Sequence, residues 1–133
     1  MKILIIDDEK IIEYINTMIK MKFYYNELDK EERDKIFLLD KENENMHITI
    51  ATSYEKGLGY LKSDTYNMLF IDHDLGEEKT GYDIMNWMQQ HYPEVSIPRI
   101  IYLISHNPVG KVKMFQVAEI FKKMKIIDEV IVL

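Results

Sequence analysis

The sequence predicts an α/β domain built on a single doubly wound, five-stranded parallel sheet with helices on both faces. Two patterns point to this. Short apolar runs alternate along the chain with stretches of helical periodicity, and each run is apolar at successive positions, as strands buried on both faces are. Length agrees, because 133 residues suffice for one hydrophobic core and not comfortably for two.

Taken in order, "KILII" (2–6) is the first strand, stopped by Asp7 and Asp8. "EKIIEYINTMIKMKF" follows, with Ile11, Ile15 and Met18, and Ile12 and Ile19 beside them, at helical spacing. "HITIA" (47–51) is β-branched and reads as the second strand. Thr52 with Glu55 forms a capping-box pattern ahead of a short helix through Leu58 and Leu61, weakened by Gly57 and Gly59. "MLFI" (68–71) is the third strand. Thr80 with Asp83 opens a helix whose Ile84, Trp87, Met88 and His91 share a face until Pro93. "RIIYLI" (99–104) is the fourth strand. Asn107 and Pro108 start a helix with Met114, Val117, Ala118 and Phe121 as its apolar stripe, and "EVIVL" (129–133) is the fifth strand. The segment 26–46, "NELDKEERDKIFLLDKENENM", is a charged excursion, longer than the about 2–6 residues usual between helix and strand. It reads either as an extra helix with Ile36, Phe37 and Leu39 inward or as a solvated acidic loop. The expectation is one domain over 1–133.

Composition excludes several function classes. There is no cysteine, hence no disulfide, thiolate metal site or cysteine nucleophile. A formal charge of -6 argues against a sequence-blind grip on a nucleic acid duplex. No apolar run approaches the about 20 residues of a bilayer span, and "MKILIIDDEK" lacks the features of a secretory signal, so a cytoplasmic location is expected.

Sheets of this kind place their sites beyond the carboxyl ends of the strands. Asp7 and Asp8 end strand one, Asp72, His73 and Asp74 end strand three, and Ser105, His106 and Asn107 end strand four. If strands one and three are neighbours, several carboxylates meet, and their mutual repulsion is relieved by a hard divalent cation, Mg²⁺ or Mn²⁺. Asp7, Asp8 and Asp72 are the expected metal ligands. Ser105 is placed to donate to a phosphoryl oxygen. Strand alternation directs Asp74 to the side of Asp72 and His73 away from it. Imidazole suits proton transfer near neutral pH, which makes His73 and His106 candidate acid and base; His47 and His91 read as structural, and Trp87 as core. Asp74 is a candidate ligand contact, as are Asn107 and Gly81, each at a helix start.

"LIIDDE", "LFIDHDLG" and "IIYLIS" resemble the phosphoacceptor receiver domains of bacterial response regulators along nearly the whole chain. The resemblance implies a flavodoxin-like strand order 2-1-3-4-5, Asp7 and Asp8 as metal carboxylates, Asp72 as phosphoacceptor or metal ligand, and Ser105 as the hydroxyl switch residue. "DEVIVL" lacks the lysine with which receivers end strand five, and the last helix of the receiver pattern is missing. "DHDLG" (72–76), "TGYD" (80–83) with Trp87, and "NPVG" (107–110) are most similar to the branch named for cyclic-phosphate processing. That branch implies a histidine immediately before the serine; here the place is taken by Ile104, and His106 follows instead.

Three functions are compatible with these residues. One is a Mg²⁺-dependent phosphoesterase acting on cyclic or nucleotide phosphates, with His73, His106 and Ser105 as catalytic residues. The second is a signalling receiver phosphorylated on Asp72. The third is a non-catalytic module that binds a phosphate-bearing small molecule or a signalling protein.

Overall fold

The computed structural model describes residues 2–8 and 47–132, which group as one unit apart from residues 9–46. The helix expected over 9–23 and the excursion at 26–46 lie outside the described residues. The elements in chain order are β1 (Lys2–Ile6), β2 (His47–Ala51), α1 (Tyr54–Ser63), β3 (Met68–Ile71), α2 (Gly81–His91), β4 (Ile100–Leu103), α3 (Pro108–Lys123) and β5 (Glu129–Val132). All pairings are parallel, and the strand order is β2-β1-β3-β4-β5, as expected for a doubly wound receiver fold. Among the described residues three helices are found, and none is long and apolar enough to cross a membrane.

The core lies where helix stripes meet strand residues of one parity. Leu4, Ile6, Leu69, Ile71, Ile101 and Leu103 are all sealed from solvent, together with Ile84, Met85 and Met88 of α2 and Met114, Ala118 and Phe121 of α3. Each of these side chains except Ala118 contributes about 1.5–3 kcal/mol relative to exposure. The alternate residues Ile3, Ile5, Phe70 and Tyr102 are also buried, so the central strands are apolar on both faces, as their sequences imply. Phe70 and Tyr102, partners in adjacent strands, stack with ring centroids 4.3 Å apart.

Two sequence expectations are corrected. The N-cap of α1 is Ser53, not Thr52: the Ser53 hydroxyl accepts from the Lys56 backbone N–H, while the Thr52 hydroxyl receives the Lys56 ammonium at 3.4 Å. The helix thus begins one residue later, and Gly57 brings its backbone close to Ile6 and Ile84. His91 does not share the buried face of α2. It is exposed past Met88, the last buried residue of the helix, where it stacks on the half-buried Trp87 and its Nδ1 bonds the Trp87 carbonyl at 2.8 Å. The Thr80–Asp83 capping box and the Asn107 cap of α3 form as expected.

Candidate functional site

Strand register creates the site. Ile6 is level with Ala51 on one side and Ile71 on the other, and Ile71 is level with Leu103. The central strands therefore end in one layer, and the next residues stand side by side above it. The Asp7 N–H donates to Ala51, the Asp72 N–H to Ile6 and the Ile104 N–H to Ile71, at 3.0, 3.0 and 3.2 Å. These bonds carry the sheet one residue further and fix Asp7 beside Asp72.

Both carboxylates are buried, with 2% and 4% exposure, and Asp8 is half-buried at the rim. One carboxylate oxygen from each of Asp7, Asp8 and Asp72 lies within 4.8 Å of the others. At that separation two like charges oppose each other by about 3 kcal/mol in a medium of effective dielectric about 20. Three converging oxygen donors suit a hard divalent cation, whose charge cancels this repulsion and which completes its shell with water. The donor set therefore fits Mg²⁺ or Mn²⁺. Ser105 stands just past the end of β4, the strand paired to β3, almost wholly buried, with its Oγ accepting the Asn107 N–H at 3.0 Å. That bond leaves the hydroxyl hydrogen to be donated elsewhere.

Three glycines set how closely the surrounding chain approaches. A Cβ at Gly81 would overlap the carbonyl oxygen of Asp72, and the Gly81 N–H donates to His73 at 2.8 Å, so α2 starts directly against the end of β3. Gly76 has φ +68°, a conformation L side chains rarely adopt, and a Cβ there would sit 2.6 Å from Asp8 Oδ2. A Cβ at Gly110 would fall against the imidazole of His73.

That last contact locates His73. Its ring is seated on the first turn of α3, and its Nδ1 lies 2.9 Å from Asp74 Oδ1. The mostly exposed Asp74 carboxylate also accepts from Asn107 Nδ2 at 3.5 Å, and Asn107 Oδ1 caps Gly110 N–H at 3.0 Å. The sequence-nominated residues thus fall into two sets. Asp7, Asp8 and Asp72 form the acidic cluster; His73, Asp74 and Asn107 form a bridge between β3 and α3, joined to Ser105 through the Asn107 N–H. His106 is exposed at the rim and Ile104 is half-buried.

Sequence reasoning missed Gly76, Glu77 and Gly110. A glycine in the first turn of a helix, where its propensity is poor, signals close packing at Gly110. Gly76 ends the "DHDLG" run between a strand and a helix start, where glycine supplies a left-handed turn. Nothing local marks Glu77, whose carboxylate accepts the Tyr54 N–H of α1 at 2.7 Å.

A family model described as the cyclic-phosphate processing receiver domain matches residues 3–119. Among solved structures, a response regulator from Burkholderia pseudomallei, crystallised with a phosphorylated aspartic acid, calcium ion and citrate, aligns with TM-score 0.55 and 13% identity; the alignment covers 98% of this chain and 58% of that one. A response regulator from Thermotoga maritima in complex with Mg²⁺-BeF aligns with TM-score 0.50 and 16% identity over 99% of this chain and 85% of that one. The receiver domain of Francisella response regulator 1452 gives 0.53 and 16%, over 98% and 82%. At these identities the likeness is one of fold. Nothing among curated proteins matches the sequence. Since the family match runs from β1 into α3 and takes in all the acidic and bridging residues of the carboxyl edge, the chain belongs to the cyclic-phosphate processing receiver domain family.

Proposed function

We propose that the domain is a phosphorylatable receiver in which Asp72 accepts a phosphoryl group and Asp7, Asp8 and Asp72 hold a divalent cation. The observation that carries this reading is the convergence of the three carboxylates within 4.8 Å, with Ser105 buried at the end of the adjacent strand. The fold relatives from Burkholderia pseudomallei and Thermotoga maritima, with a phosphorylated aspartic acid and calcium ion in one and Mg²⁺-BeF in the other, support it. A bound ion supplies positive charge to oppose the negative charge of the incoming phosphoryl oxygens.

The residues of the chain do the remainder. A carboxylate oxygen of Asp72 forms a new bond to phosphorus while the bond from phosphorus to the donor's leaving group breaks, the electron pair departing with that group. The Ser105 hydroxyl, its lone pair engaged by Asn107 N–H, donates to a phosphoryl oxygen. Water attack on phosphorus later returns the free carboxylate and inorganic phosphate. Brief incubation with acetyl phosphate and Mg²⁺, followed by intact-mass measurement, is expected to give a phosphoryl adduct on the wild-type protein and none on Asp72→Asn. Absence of an adduct on both would remove the reading.

A second reading follows from the description of the matched family, cyclic-phosphate processing. Here the same cation site binds a cyclic or nucleotide phosphate, Asp74, Gly81 and Asn107 line the ligand, and His73 and His106 act as acid and base with Ser105. Turnover of a panel of cyclic nucleotides and 2′,3′-cyclic phosphates by wild type, lost in His73→Ala and His106→Ala, would select it. In either case a signalling protein or a phosphate-bearing small molecule is the partner.

A further inference from the structure

The segment between β3 and α2 does not simply cross from strand to helix. Its Leu75 is buried in the core, and its far end is pinned where Gly81 meets His73 and Asp72. Between these anchors it reaches sideways. Glu77 Oε1 accepts the backbone N–H of Tyr54, and Lys79 Nζ stands 5.8 Å above the Tyr54 ring. Tyr54 is the first residue of α1, which follows β2. In the sheet β2 and β3 are not neighbours, because β1 lies between them. A tie from the β3–α2 segment to the start of α1 must therefore span the carboxyl end of β1, where Asp7 and Asp8 stand. Gly76, next to Glu77, is accordingly found against Asp8 Oδ2.

We propose that Glu77 is a positioning residue for the cation site: by capping α1 it holds residues 76–79 as a strap across the end of β1 and fixes the Asp8 carboxylate beneath it. The inference rests on the cation-binding reading given above and adds a residue that touches neither ion nor phosphate. Three features converge on it. The helix N-terminus is completed by a residue 23 positions away in sequence, although Ser53 already caps the first turn locally. A second side chain of the strap, Lys79, meets the same Tyr54. The left-handed conformation of Gly76 turns the chain so that Glu77 can reach α1 while its own backbone closes on Asp8.

The test uses Glu77→Ala, which removes the acceptor, and Glu77→Gln, whose amide oxygen retains it. The first readout needs no metal. Amide hydrogen exchange at Tyr54 is expected to accelerate at least about tenfold in Glu77→Ala and to stay near wild type in Glu77→Gln. The second readout is Mn²⁺ binding followed by water proton relaxation, with affinity expected to fall about three- to tenfold in Glu77→Ala and to be kept in Glu77→Gln. Unchanged Tyr54 exchange in Glu77→Ala overturns the strap. Faster exchange with unaltered Mn²⁺ affinity overturns the positioning role while leaving the cation site in place. Failure of the wild-type protein itself to take up Mn²⁺ would remove the site, and this role with it.

Discussion

The two ends of the sheet use charge in opposite ways. At the amino end, ions of opposite sign meet at the surface. Lys2 pairs with Asp64, Arg99 just before β4 with Asp128 before β5, and Lys122 of the last turn of α3 with Glu129. At the carboxyl end, three carboxylates are gathered against one another, two of them buried. Exposed opposite pairs contribute little to stability and tolerate loss of a partner. Buried like charges oppose folding, and such an arrangement points to binding rather than to stability. Sterics differ in the same direction, since glycines at 76, 81 and 110 bring a carboxylate, a backbone carbonyl and an imidazole ring, in turn, within overlap distance of any Cβ.

The contrast can be attacked from its strongest point. Gly81→Ala puts a methyl group into the Asp72 carbonyl oxygen, where the neighbour is backbone and cannot swing aside. Destabilisation of about 3 kcal/mol or more is expected in urea unfolding. A near-neutral result would show that the end of β3 has more slack than the distances imply. Next in size is the cation effect. Mg²⁺ at about a hundredfold excess over its dissociation constant is expected to stabilise the wild-type protein by about 2.7 kcal/mol. Asp72→Asn should lose this increment in thermal unfolding, whereas Asp128→Asn at the opposite end should keep it.

Gly110→Ala is expected to cost about 1–3 kcal/mol by displacing the His73 ring. Adding His73→Ala should recover part of that loss, so the double variant falls short of the sum of the singles in a thermodynamic cycle. Strict additivity would mean that Gly110 is not the seat of His73.

The smallest effect belongs to the amino end. Side-chain hydrogen bonds from Arg99 to Asp128, from Lys2 to Asp64 and from Lys122 to Glu129 hold those carboxyls below their ordinary values. A depressed carboxyl stabilises the folded state above its unfolded value, and the contribution disappears as pH falls through the depressed one. Acidification below about pH 4 should therefore narrow the difference in melting temperature between wild type and Asp128→Asn. That difference is expected to be slight even at neutral pH, because these groups face solvent.

Much of the carboxyl edge was legible in advance, and the reason is periodicity. A strand apolar on both faces that stops at aspartate marks its own carboxyl end, and the resemblance to receivers supplied the order that makes β1 and β3 neighbours. Asp7, Asp8 and Asp72 meet for that reason, with Ser105 past the end of the strand paired to β3. Alternation directs His73 away from Asp72, but what receives its ring, Gly110, lies on another element, and a helix-start glycine signals close packing without naming the partner. Asp74, directed by the same alternation to the side of Asp72, lies instead against His73 Nδ1. Thr52 has the right spacing to Glu55 for a cap, but Ser53 satisfies the helix one residue later with an equally suitable hydroxyl. His91 has apolar-face spacing, but spacing does not reveal where along a helix its contact with the core ends.

The amino-acid sequence by itself determined the strands, the three described helices with two of their caps, and the acidic residues that terminate β1 and β3, because each follows from a repeat or a spacing within a few residues. Tertiary structure alone decided that Glu77 reaches Tyr54 across β1, that His73 rests on Gly110, and that Gly76 closes on Asp8. Those contacts join elements whose separation is set by strand order and helix approach, and no local pattern encodes the distance between two pieces of chain that meet only after the sheet has formed.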